Sequence, residues 1–263
     1  MKMARGCAGV HLIIYIRKEM LLKSQGIVLH TLKYNDESII ANVLTEAAGC
    51  VSFMVRISRS PRCAVRHTLF HPLALLELEW NHQAGTTGLR RPKSAQTAVP
   101  LTSLPYDPHK TAMALFLAEF LHYAVRDEYE PGALFRYVFR SIEWLDACRK
   151  GFANFHLVFL LRLSRFLGFA PNLEEMHTGY CFDLLSGDFV PDVPVHGHYV
   201  AAAEAAKLPL LMRMNFGTMH VFRFSGAERS RLLEHINEYY RLHLPNFPEL
   251  KSLAVLKALF SNV

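Results

Sequence analysis

The hydrophobic pattern of this 263-residue chain changes period once, at Pro105–Pro108, and that change limits what the chain can fold into. Ahead of it, apolar residues come in short runs: GIVLHTL, SIIANVLT, CVSFMVRI and LALLELEW. These are rich in β-branched types and separated by turn formers such as Asn35-Asp36 and Gly49, which is how strands read. In the last run Leu76, Leu78 and Trp80 alternate with Glu77 and Glu79, so one face is buried and the other wet. A weaker fifth strand is expected from Gly88 to Val99. Five short antiparallel strands from Leu21 onward imply a small barrel.

Beyond Pro108 the apolar spacing becomes helical. Asp107 is an N-cap carboxylate with proline at the first helical position. Thr111–Arg126 is apolar nearly all round, as in a helix buried on most sides. Leu134, Val138, Ile142 and Leu145 form the stripe of a second helix, and Phe155–Leu167 a third that closes at Gly168. Ala201–Ala206 is a short helix candidate. Ser225 and Glu228 make a capping box, opening a helix with Leu232, Ile236, Tyr239 and His243 on one side. A last helix is expected from Pro248 to Phe260, whereas Glu174–Gly197 reads as irregular. The fold class is therefore α+β, with three parts: an extension over residues 1–19, a five-stranded barrel over 20–104 and a helical domain over 105–263.

Charge divides at the same border. Of 29 Lys+Arg and 23 Asp+Glu, 13 and 6 lie up to Tyr106, leaving 16 and 17 beyond it. The basicity belongs wholly to the barrel half. Between Glu46 and Glu77 there is no carboxylate, yet Arg56, Arg59, Arg62 and Arg66 fall within eleven residues, and Arg90, Arg91 and Lys93 follow. Such a tract repels itself unless an anionic partner offsets it. Nucleic acid is the commonest such partner, because each neutralised phosphate releases condensed counterions. Lys23, His30 and Lys33 are candidates for the same barrel face, and Phe53, Phe70 and Trp80 for base stacking, although such aromatics are more often core.

The five cysteines are scattered, with no CxxC pair, which fits a reducing cytoplasm. Val10–Ile16 is too short for a signal segment and leads into Arg17-Lys18, so residues before Met20 read as a ragged extension, as a misassigned start would leave. No run has the ~20 uncharged apolar residues of a membrane span.

Several short matches, in order, resemble the RecO family of bacterial recombination mediators. They are Gly26-Ile-Val-Leu29, Tyr34-Asn-Asp-Glu37, Leu44-Thr45, Gly49, the basic segment, and His71-Pro72-Leu73. Phe159-Leu-Leu161, Leu167-Gly168-Phe169-Ala-Pro171 and Lys251-Ser252-Leu253 continue the series to the end of the chain. The resemblance implies an N-terminal OB-fold and a helical domain. It also implies binding of single- and double-stranded DNA, annealing of complementary strands, and, with RecR, loading of RecA on DNA coated by single-strand-binding protein. No covalent chemistry and no cofactor are implied.

Two departures from the family accompany it. Many members carry a four-cysteine zinc ribbon after the third helix, and here only Cys181 remains, so residues 174–197 read as a degenerate, zinc-less ribbon packed by Tyr180, Phe182, Leu184 and Phe189. A substitute set of His177, Cys181, His196 and His198 has unusual spacing for zinc. In some relatives an arginine pair near the start of the third helix serves the acidic, phenylalanine-ended tail of the single-strand-binding protein; here those positions are Leu157-Val158. Arg162 and Arg165, with Arg136 and Arg140, are the remaining candidates.

Two rival readings stand beside this one. A metal-dependent nucleic-acid enzyme would use His67, His71, His177 and Cys181, though HExxH, Walker A and GxGxxG motifs are absent. A protein-only adaptor would keep the helical domain's contacts and show no salt-dependent DNA binding.

Overall fold

A computed structural model describes residues 20–58, 65–82, 88–126 and 132–260. The barrel half contains β1 (Met20–Asn35), β2 (Ser38–Thr45), β3 (Gly49–Arg56), β4 (Leu75–His82) and β5 (Pro92–Val99), in the sheet order β3-β2-β1-β4-β5. All neighbouring pairs are antiparallel. β1 does double duty. Its first half pairs with β4 and its second half with β2, the two ladders overlapping at Gly26 and Ile27; Gly26 faces Thr45 on one side and Leu76 on the other. A Cβ on Gly26 would lie 2.7 Å from Val43 Cγ1, so glycine is what lets the strand turn the barrel corner. The sheet's two edges meet at one parallel bridge, Phe53 to Arg90, where Arg90 N–H donates to the Ser52 carbonyl (2.9 Å) and Met54 N–H to the Arg90 carbonyl (2.7 Å). This is the five-stranded OB-type barrel expected from the sequence, its closing seam a single bridge among the described residues.

The barrel has two buried faces. Val28, Val43, Phe53, Leu76, Leu78 and Trp80 fill its interior. Ile27, Leu29, Leu44, Leu73 and Leu75 point the other way, into the core of the helical half. That half comprises α1 (Pro108–Ala124), α2 (Gly132–Ala147), α3 (Phe155–Phe166), α4 (Ala202–Ala205), α5 (Leu208–Arg213), α6 (Gly226–His243) and α7 (Lys251–Phe260). α1 is buried on most sides, between β1 and α7. The Asp107 cap and the Ser225–Glu228 capping box both form.

A polar clamp holds the linker between the halves. The Asp146 carboxylate, at the end of α2, accepts from the N–H groups of Thr102 (2.9 Å), Ser103 (2.8 Å) and Leu104 (2.7 Å). Beside it the buried Lys110 donates to the carbonyls of Asp146 (3.0 Å) and Cys148 (2.6 Å) and to the Ser103 hydroxyl (2.6 Å). Desolvation raises the Asp146 carboxyl, but the three N–H donors outweigh it and hold the group below the usual range.

The last helix starts at Lys251, not at Pro248. Its cap is supplied from α1: the Glu119 carboxylate accepts from the N–H groups of Lys251 (3.1 Å) and Ser252 (2.8 Å) and from the Ser252 hydroxyl. Glu119→Ala is therefore expected to cost about 1–2 kcal/mol and to fray α7, read as faster amide exchange in residues 251–256.

The ribbon region forms a small antiparallel sheet, β6 (Cys181–Asp183), β7 (Asp188–Val190) and β8 (Tyr199–Val200), in the order β7-β6-β8. Phe182, Leu184 and Phe189 are buried in the main core, and Tyr180 packs against it. Gly187 makes the β6–β7 turn at φ +76, a backbone conformation that favours glycine. Among the described residues no group of three or more His, Cys, Asp and Glu is arranged to hold a metal, and no helix is long and apolar enough to cross a membrane.

Candidate nucleic-acid interface

Strand register decides where the cations fall. Arg56 ends β3 opposite Ser38, which faces Asn35 across the next ladder. Lys33 faces Ile39, which faces Val55. Lys33 and Arg56 thus stand on the outer strands of this three-stranded end, about 10 Å apart by strand spacing and on opposite faces, since Arg56 follows Val55 directly. Arg90 sits on the barrel seam beside Ser52 and Met54, and Arg91 reaches the Met54 sulfur at 4.0 Å. Met54 is two residues from Arg56, roughly 7 Å along the strand. The seam that closes the barrel therefore brings Arg90 and Arg91 to the strand that ends in Arg56. Lys93 follows at the start of β5, exposed. In OB-folds the β1–β2 and β4–β5 connections frame the oligonucleotide surface, and these cations occupy those positions.

The acids here are few and weakly engaged. Glu37 lies 3.7 Å from Arg56 and Asp36 2.6 Å from Lys33, all four side chains being well exposed. Exposed pairs of this kind are worth at most about 1 kcal/mol, so a phosphate displaces the carboxylate at little cost. Lys23 has a different setting: it faces Glu79 on β4 and its ammonium is 3.3 Å from the Glu77 carboxylate. Hydrogen bonding from Gln96, with that of Lys23, holds Glu77 below the usual carboxylate range. His30 stacks on His122 of α1, ring centroids 4.9 Å apart, so it belongs to the junction between the halves. Arg66 is exposed and precedes the 3-10 turn His67–Leu69. Arg59 and Arg62 lie outside the described residues.

Phe53, Phe70 and Trp80 are 0%, 4% and 0% exposed, so they are core and not stacking platforms. The residues of the metal reading are not gathered. His67 opens the 3-10 turn of the barrel half and His71 follows it, while Cys181 is buried in β6 and the His177 ring packs on Tyr180. His196 and His198 face carboxylates instead, Asp183 at 3.3 Å and Glu238 at 2.8 Å.

On the helical half, Arg162 is half-buried and donates to the Met214 carbonyl (2.9 Å). Arg140 pairs with Glu143 (2.8 Å), while Arg136 and Arg165 are exposed. Phe166, 41% exposed, stacks on Tyr137 at 5.0 Å. Phe166 thus leaves an apolar ring exposed, with Arg165 next to it in sequence and Arg136 next to its stacking partner.

Comparison with known proteins agrees with this architecture. The family model for the recombination protein O N-terminal region matches residues 20–100, and that for its C-terminal region matches residues 105–254. The chain is 54% identical to the DNA repair protein RecO of Bacteroides fragilis over 242 residues, 92% of this chain and the full length of that protein. The corresponding protein of Phocaeicola vulgatus is 52% identical over the same span, and that of Porphyromonas gingivalis 36% over 245 residues, each again at 92% of this chain and full length of the relative. With both halves matched and the relatives aligned end to end, the chain belongs to the RecO family of DNA repair proteins.

Proposed function

We propose that the protein is a recombination mediator that binds single- and double-stranded DNA through its barrel and anneals complementary strands. With RecR it helps load RecA onto DNA coated by single-strand-binding protein. It performs no covalent chemistry, requires no cofactor and acts in the cytoplasm at the nucleoid. One observation carries the reading: the barrel seam sets Arg90 and Arg91 beside the strand that ends in Arg56, with Lys33 across the hairpin. Four cations on one end of a barrel screen the repulsion between two phosphate backbones, which is what pairing two strands requires. The barrel is the DNA-binding part and the helical domain the docking body. The exposed Phe166 beside Arg165, with Arg136 and Arg140 on α2, suits the acidic, phenylalanine-ended tail of the single-strand-binding protein.

The test is strand annealing on oligonucleotides coated with single-strand-binding protein, together with direct binding at a series of salt concentrations. For about seven phosphates neutralised on a single strand, the log–log slope of affinity against salt is expected near −4.9. A flat salt response, or no annealing above the spontaneous rate, rejects the proposal and favours the adaptor reading.

A further inference from the structure

The β1–β2 hairpin carries a feature that its charges do not explain. No residue from His30 to Ile40 is buried, so this part of the sheet projects from the barrel as a wing. Near its tip Leu32 is 57% exposed and Tyr34 58%. Tyr34 falls in the register break between Lys33 and Asn35 and has no Cα partner on β2. Bulges leave a residue unpaired and re-aim its side chain, and they recur beside binding sites.

The wing is nonetheless ordered by its own bonds. Glu37 N–H donates to the Asn35 side-chain oxygen (3.0 Å), and Ile57 N–H donates to the Glu37 carbonyl (2.7 Å), tying the tip to the end of β3. The tip backbone is therefore fixed, and Tyr34 stands in water next to Lys33, on the β1 side of the wing and two strands from Arg56. Every aromatic the sequence offered as a platform is buried instead. Tyr106 is more exposed, at 82%, but it lies in the linker beside Asp107 and outside the basic tract. An exposed aromatic face beside a cation is the arrangement by which single-strand-binding grooves hold bases, since every base offers a π-face and the neighbouring phosphate finds the cation.

We infer that Tyr34 is a nucleobase-stacking site, taking one unpaired base of a strand whose adjacent phosphate lies on Lys33. Leu32 extends its apolar surface. This rests on the reading that the barrel binds DNA, and it adds a selectivity to it: bases in a duplex are already stacked, so the wing favours single strands. The exposed ion pairs Lys33–Asp36 and Arg56–Glu37 mask the cations until a phosphate arrives.

The test compares binding of a labelled oligothymidine and of a duplex to the full chain at one salt concentration. Tyr34→Ala is expected to weaken single-strand binding roughly ten- to thirtyfold and duplex binding by no more than about twofold. Tyr34→Phe keeps wild-type affinity, because the ring and not the hydroxyl does the stacking. Tyr34→Trp shows indole quenching on oligothymidine beyond that of the wild type, which reports the contact independently of affinity. Equal losses on both DNA forms, or none in Tyr34→Ala while the wild type binds with a steep salt slope, overturn the stacking site and leave the mediator reading standing. If the wild type itself binds neither form, both fall.

Discussion

Changing Arg56, Arg90, Arg91 and Lys93 together to alanine is expected to weaken binding to single-stranded DNA roughly two hundredfold near 0.15 M salt. Each phosphate contact on a single strand contributes about 0.7 to the log–log salt slope, so four contacts remove about 2.8 from it. Extrapolated from 1 M, where the counterion contribution vanishes, that is about 2.3 decades at 0.15 M. The fold is expected to survive. Arg56, Arg91 and Lys93 are exposed, the Arg56–Glu37 pair is solvent-screened, and the Arg90 bridge to β3 uses backbone atoms that alanine retains. Thermal melting within a few degrees of wild type would establish this. Lys23→Ala is the internal control. Its ammonium already sits 3.3 Å from Glu77, so its loss should change affinity no more than a fewfold. Adding Arg59→Ala and Arg62→Ala should steepen the loss by a further decade or so on the same slope. If the four-site variant keeps both its affinity and its salt slope, the barrel end is not the DNA surface.

What the sequence made legible, and what it hid, follows from how local each signal is. The start of α1 was readable because Asp107 caps its own helix two and three residues on, at His109 and Lys110. The start of α7 was not, because its cap is Glu119, more than a hundred residues earlier in the chain. The strand GIVLHTL was visible, but β1 begins six residues sooner, at Met20, since Met20–Gln25 is a mixed segment that becomes a strand only by pairing with β4. The short helix α5 went unseen for a similar reason: its six residues carry too little periodicity, and its burial comes from packing on α3. Charge was legible as composition, yet the meeting of Arg90 and Arg91 with β3 depends on a parallel bridge between segments about 35 residues apart, which no local pattern announces. The stacking candidates failed because aromatic content alone does not say which ring is inside. A Tyr placed directly before an Asn-Asp turn, where strands end, was the available signal.

Acidification from pH 7.5 to pH 5 is expected to cost the protein about 3 kcal/mol of stability, with His156 the main contributor. This imidazole is 2% exposed in α3; burial, with the Arg229 guanidinium adding to it, lowers its pKa to about 3. The native state therefore keeps it neutral throughout that interval, while the unfolded chain takes up a proton below about 6.5. Stability rises with pH wherever the unfolded state binds more protons, so the contribution is complete above about 6.5 and is lost progressively as pH falls toward 3. At pH 5 the loss is 1.5 units below the unfolded value, about 2 kcal/mol, and it does not depend on how far below 5 the native pKa lies. His122, lowered to about 4 by burial and then by His30 and Arg126, acts in the same direction; being only half-buried, it is discounted to roughly 1 kcal/mol. Carboxylates held low, such as Asp146 and Glu119, lose their contribution below this window and leave it unaffected. His156→Phe isolates the effect: the ring volume is kept, the proton site is gone, and the difference between pH 7.5 and pH 5 in urea unfolding should shrink by about 2 kcal/mol relative to wild type. Equal pH dependence in the two proteins would mean that His156 is already protonated, or solvated, in the native state.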